Sequence, residues 1–294
     1  MCDAWTMRDV IRFAAALQRG DVLPEQLALS IARIGDPALD EGQCVAQLDA
    51  LAQTLAPHLA DVPVGEARAR AFLEGVRRRL GFDGNHERYY EAGNSYLNVV
   101  LERRKGLPIL LCVVLMALGR RLQLQIDGMG FPGHFMGRYQ DEAGTWFLDP
   151  FYGEVVAPDA LSGYLRRIFN RPVRLGGDVF TPVTPVALAQ RILNNLRNFY
   201  LEAGDYGPAG TVLDYMLAIT PGSIYLWRER GVLGFRTGEW QAARRALRRY
   251  FFLTGRTQLL LPEEAGGGAV SVMASEEQLV QMLHEIDETL NRLN

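Results

Sequence analysis

The chain has few cysteines, no long apolar run and no pooled charge of either sign. Its three cysteines, Cys2, Cys44 and Cys112, lie far apart with no CxxC spacing. An odd, scattered set argues against a disulfide framework and structural zinc, and for a reducing compartment. The longest apolar run, Ile109 to Leu118, is about half of the ~20 residues a membrane span needs. The start, Met1-Cys-Asp-Ala-Trp, has no basic stretch followed by an apolar one, so no secretory signal is read and the expected compartment is the cytoplasm. A net charge of −3 with pI ≈ 5.9 and scattered Lys and Arg offers no basic platform for nucleic acid. His58, His86 and His284 stand alone, so no metal site is expected. Gly128-Met-Gly130 lacks the following helix of a phosphate loop. No cofactor is implied.

What is present is a soluble, globular composition, 48% hydrophobic over 294 residues, enough for two domains and a sizeable core. Residues 7–105 read as helices joined by short turns. Apolar spacing predicts helices over Met7–Leu17, from Leu27 to a stop at Gly35-Asp36-Pro37, over Gln43–Leu55 ending before Pro57, over Ala67–Leu80 and over Tyr96–Arg104. Pro108 suits the first turn of a helix, where no N–H is needed, and that helix should run to about Leu122. Leu110, Leu111, Val113, Val114 and Leu118 leave it almost no polar face, so it should be central and buried.

After it the period changes. Met129–Tyr139 and Thr145–Asp149 read as strands separated by Asp141-Glu142-Ala143-Gly144, a hairpin signature. If Tyr139 pairs with Gly144, the antiparallel register sets His134 opposite Asp149. Pro158–Phe169 returns to helix, and Arg174–Val183 reads as irregular or strand-like. From Pro185 a repeat appears. Gly204-Asp205-Tyr206 recurs as Gly238-Glu239-Trp240, thirty-four residues on, Ala209 recurs as Ala243 and Leu213 as Leu247. That period resembles tetratricopeptide repeats. Ala265-Gly-Gly-Gly268 reads as a flexible link. Ser275 with Gln278 forms a capping box, and Leu279, Met282, Leu283, Ile286, Leu290 and Leu293 make one apolar stripe that suits a cap for the repeats.

Cys112, His134 and Asp149, in that order, are the parts of a thiol acyl-transfer site: a nucleophile, a base, and a carboxylate that orients the base. Yet Cys112, flanked by Leu111 and Val113, lies a full turn past the helix start, where burial raises a thiol pKa. Asn94 reads either as a helix N-cap or as a donor at a pocket rim. Arg77-Arg-Arg79, Arg103-Arg-Lys105 and the Arg244/Arg245 and Arg248/Arg249 pairs read either as solvated faces or as sites for an acidic partner.

The run Asn94-Ser-Tyr-Leu-Asn-Val-Val-Leu-Glu-Arg-Arg-Lys-Gly-Leu-Pro-Ile, then Phe131-Pro-Gly-His-Phe135, then Leu148-Asp-Pro-Phe151 resembles the SirB family of bacterial proteins. The resemblance spans nearly the whole chain. It implies an α+β fold: a mostly helical transglutaminase-like core with a small antiparallel sheet over 1–184, then an all-α tetratricopeptide-like region over 185–294. Enzymes with that core carry Gly-x-Cys at the start of the central helix, followed by His and Asp. Here Gly106-x-Pro108 takes the Gly-x-Cys position, while His134 and Asp149 match the other two. Cys112 would sit about 6 Å further along the helix axis, a large displacement for a catalytic group.

The resulting expectation is a regulatory, non-catalytic protein- or peptide-binding module whose pocket is rimmed by Asn94, Pro108 and Phe135. The alternative is a thiol hydrolase or acyltransferase using Cys112, His134 and Asp149. A protein or peptide partner is expected, and neither nucleic acid nor membrane.

Overall fold

The computed structural model of the chain describes residues 4–173, 176, 180–260 and 274–293. Its contacts divide the chain into two units, Ala15–Phe199 and Met1–Ala14 with Tyr200–Asn294. The helices are α1 (Ala4–Arg19), α2 (Pro24–Ala32), α3 (Glu41–Leu59), α4 (Glu66–Glu74), α5 (Leu97–Arg103), α6 (Pro108–Arg121), α7 (Leu161–Phe169), α8 (Pro185–Ala203), α9 (Tyr206–Ile219), α10 (Ile224–Thr237), α11 (Trp240–Leu253) and α12 (Ala274–Leu293). The strands are β1 (Asp83–Gly84), β2 (Lys105–Gly106), β3 (Gln125–Phe131), β4 (His134–Asp141), β5 (Gly144–Asp149) and β6 (Glu154–Val156). The fold is therefore α+β, with a four-stranded antiparallel sheet in the order β3-β4-β5-β6 and a helical C-terminal region. No described helix is long and apolar enough to cross a membrane.

In the unit Ala15–Phe199, α6 is the hub. It packs on β3 and β4, and also touches α2, α3 and α5. Leu110, Leu111, Val113, Val114 and Leu118 are all buried, as their spacing predicts. Gly119 lets the helix come close to the sheet, since a Cβ there would meet the Ile126 side chain at 2.7 Å. Strand residues alternate between faces. Met129, Phe131, Met136 and Phe147 pack with Leu161, Tyr164 and Leu165 of α7 in one buried cluster.

Several local expectations are corrected. Met129–Tyr139 is not one strand: Pro132-Gly133 turns it into a hairpin in which Phe131 pairs with His134. Proline presets φ for the turn, and Gly133 takes φ 77°, open to glycine at little cost. The β4–β5 register pairs Tyr139 with Trp146 and Asp141 with Gly144, two residues from the expected one. Pro57 lies inside α3, costing one i→i−4 bond, while Leu55 and Leu59 around it are buried. Residues 75–79 of the expected fourth helix form a π-helical turn. The seventh helix begins at Leu161 rather than Pro158. Half of Arg174–Val183 falls outside the described residues.

In the other unit, α9 to α11 stack as helix pairs. Both repeat glycines turn the chain with positive φ, 69° at Gly204 and 73° at Gly238. Arg230 of α10 is buried and ion-pairs with Asp214 of α9 and with Glu239 ahead of α11. Leu279, Leu283 and Ile286 of α12 are buried against Ala243, Leu247, Tyr250 and Phe251 of α11, with Met282 and Leu290 partly covered. The stripe stops short of Leu293, which is 70% exposed. The Ala265–Gly268 link and the Ser275 side chain lie outside the described residues.

Candidate functional site

The turn at Pro132-Gly133 delivers His134 to the first position of β4, at the end of the sheet. Asp149 closes β5. The two-residue register shift keeps both on one face as diagonal neighbours, because strand side chains alternate with period two. The His134 Nε2–H donates to Asp149 Oδ2, and both side chains are buried. Asp149 also accepts from the Tyr164 hydroxyl at 2.8 Å and from the backbone N–H groups of Phe151 at 2.9 Å and Tyr152 at 3.0 Å. Four donors thus converge on one fully buried carboxylate, and the Tyr164 hydroxyl is pushed far up by burial and by Asp149. With Nε2 held as the protonated nitrogen, a neutral ring presents Nδ1 as an acceptor. Tyr152 and Phe169 pack against the ring, centroids 5.8 and 6.3 Å away.

His134 and Pro108 share the wall of a cavity of about 220 Å³, together with Tyr89, Leu107, Ile109, Gly133, Phe135 and three residues of α8. Pro108 is the first helical residue of α6. The first helical turn lacks intrahelical acceptors for its N–H groups, so this end of α6 carries partial positive charge.

Cys112 is not among the residues that line this cavity. It has no exposed surface, and its thiol donates to the Phe135 carbonyl at 3.6 Å. Burial first, and then Asp149, push its pKa well above the ordinary thiol value. A thiol so held is a poor source of thiolate. Asn94 is neither an N-cap nor a free donor. Tyr96 precedes α5, and the Asn94 amide donates to the carbonyls of Arg88 at 2.6 Å and Tyr89 at 3.0 Å while accepting from Asn85 at 2.8 Å. Its work is to hold the loop that brings Tyr89 to the rim. Phe135 is buried, with the Arg191 guanidinium 5.9 Å from its ring centroid.

The α8 residues Arg191, Asn194 and Asn195 were not among the expected site residues. Their i, i+3, i+4 spacing puts them on one helix face, a usable signal that the repeat-like reading from Pro185 onward obscured. Within the basic runs, Arg77 and Lys105 pair with Asp83, Arg103 with Glu91, and Arg244 and Arg248 with Asp287, while Arg104 and Arg249 lie over the Phe82 and Phe252 rings. Among the described residues no group of three or more His, Cys, Asp or Glu side chains is arranged to hold a metal.

Comparison with known proteins agrees with this architecture. Residues 42–194 match the transglutaminase-like superfamily and residues 196–261 match the tetratricopeptide repeat. A UPF0162 protein of Xylella fastidiosa (strain 9a5c) is 32% identical over 235 residues, covering 77% of this chain and 82% of that protein. A UPF0162 protein of Vibrio cholerae is 30% identical over 170 residues, covering 57% of this chain and 63% of that protein. Human F-box only protein 21 is 28% identical over 170 residues, covering 55% of this chain but 27% of that protein.

Proposed function

The chain belongs to the transglutaminase-like superfamily, and from that premise we propose that it is a non-catalytic, regulatory module of the cytoplasm that binds a peptide or protein. One observation carries the reading: the wall that His134 shares in the cavity is formed at the start of α6 by Pro108, which has no nucleophilic group. The His134–Asp149 pair then serves as architecture, locking the Pro132–Gly133 hairpin to α7 through Tyr164. Cys112 does not replace the missing group, since its thiol faces the Phe135 carbonyl and burial disfavours the thiolate. The tetratricopeptide match supports a binding role as well, because helical repeats of this type present extended binding surfaces.

The test is turnover by the full chain of peptide amides, activated esters and a glutamine–amine transamidation pair, with iodoacetamide labelling read by mass spectrometry. The expected outcome is no turnover above the His134→Ala variant, and Cys112 labelled only after denaturation. Turnover that disappears in His134→Ala, or native labelling of Cys112, overturns the reading.

A further inference from the structure

Arg191 is the one arginine or lysine among the described residues that line the cavity, and no described acidic side chain neutralises it. It lies half-buried on α8, beside the Phe135 ring and against Gly130, where a Cβ would come within 2.7 Å of its Nη2. Among the described residues no carboxylate lies within ion-pair distance of its guanidinium, whereas Arg77, Arg103, Arg121 and Arg138 of the same unit each have one. Burial lowers its pKa, with no acidic group counteracting. A half-buried, unpaired guanidinium is costly for folding alone, so its place in a cavity points to a ligand anion. Two further features have the same sign. Asn194 and Asn195 line the cavity on the same face and offer amide donors, and the N-terminal turn of α6 reaches it through Pro108 and Ile109. The Asp149 charge does not oppose this, because it is fully buried and taken up by four donors.

The size and the remaining groups narrow the class. A cavity of about 220 Å³ is smaller than the roughly 300–1,000 Å³ typical of drug-sized ligands, and suits one residue rather than a nucleotide. A single guanidinium fork matches the charge and planarity of one carboxylate. A neutral His134 ring with Nε2–H on Asp149 would offer Nδ1 as an acceptor for an amide N–H, and Tyr89, Leu107 and Phe135 supply apolar and aromatic wall. We propose that this cavity is a carboxylate-recognition pocket for a peptide, with Arg191 as the residue that holds the carboxylate. The inference rests on the binding reading of the same site and names its ligand chemistry.

The experiment is a titration of the full chain, followed by NMR of the His134 ring and the Arg191 Nε–H. Four probes separate the sources: N-acetyl-leucine for a C-terminal carboxylate, N-acetyl-glutamate α-amide for a side-chain carboxylate, N-acetyl-leucinamide with no carboxylate, and inorganic phosphate. One or both carboxylate probes should bind at least about tenfold more tightly than the amide and the phosphate, and Arg191→Gln should lose about tenfold or more of that affinity. The tighter of the two carboxylates identifies the source. Equal binding of acid and amide, preference for phosphate, no binding of any probe, or undiminished binding in a folded Arg191→Gln protein overturns the proposal. The acid–amide comparison is made on the unaltered chain, so it stands even if Arg191→Gln fails to fold. Turnover lost in His134→Ala would refute the non-catalytic reading and leave this contact intact, so the two failures are distinguishable.

Discussion

Replacing Asp149 by alanine is expected to destabilise the unit Ala15–Phe199 by about 3–5 kcal/mol, the range for removing one partner from a buried charged network. The side chain has no exposed surface and serves four donors at once. Truncation orphans the Tyr164 hydroxyl, the His134 imidazole and two backbone N–H groups of the turn after β5. Each buried donor left without an acceptor costs about 1–3 kcal/mol, partly relieved where water can enter. Asp149→Asn should cost roughly half as much, since an amide oxygen can still serve the Phe151 and Tyr152 N–H groups but its NH₂ opposes the other two donors. Hydrogen exchange of β4 and β5 amides reads this directly, because core strands open with the free energy of their unit. A loss below about 1 kcal/mol for alanine, the size of an ordinary substitution, would mean that the pair is not structural.

The second large effect is expected in the repeats. Arg230 is 3% exposed along its side chain and holds Asp214 by two bonds, 2.8 and 3.2 Å, and Glu239 by one of 2.6 Å. Arg230→Met keeps the apolar stem but leaves two carboxylates facing one another. Those carboxylates retain 31% and 23% side-chain exposure, so about 2–3 kcal/mol is expected, at or below the low end for breaking a buried pair. The loss should depend on pH. Asp214 is already raised above its ordinary value by burial, against the pull of Arg230, and removing the cation raises it further. A carboxyl with a raised folded-state pKa imposes no penalty when both states are protonated. The penalty grows as pH climbs from the unfolded value, about 3.9, to the folded one. The variant's deficit in thermal stability should therefore be smallest near pH 4 and level off above the variant's own pKa. A deficit that does not change with pH would show that the ion pairs are not its cause.

How much of this was legible in the sequence depends on the range of the interaction. Helix α6 could be read from composition alone, since Ile109–Leu118 leaves no polar face, and its packing follows. The His134–Asp149 pairing was legible from hairpin logic even though the assumed register was two residues off. An even slip preserves the face, and a one-residue slip would have lost the site. The Pro132–Gly133 turn was hidden because the aromatics on both sides read as one strand. Asn94 was misread because its partners, the Arg88 and Tyr89 carbonyls, belong to a loop with no periodic signature. Arg191 escaped for a different reason: nothing local in α8 tells which cavity a helix face will meet. The ring contact between Phe13 and Tyr215, 4.9 Å between centroids, is likewise a product of tertiary folding and has no local trace.

The central claim is that this site keeps the base and orienting carboxylate of an acyl-transfer centre but has proline where the nucleophile should stand. The most direct measurement is the pH dependence of iodoacetamide alkylation in Pro108→Cys, made in a Cys2→Ser, Cys44→Ser background. A thiol at the first position of α6, on the wall of the cavity that His134 also lines, should titrate well below the ordinary ~8.5 of a free cysteine. At pH 6 to 7 it should therefore react about tenfold or more faster than a peptide thiol, and His134→Ala should abolish the advantage. An introduced thiol that titrates like free cysteine, indifferent to His134, would contradict the claim that Pro108 occupies the nucleophile's place.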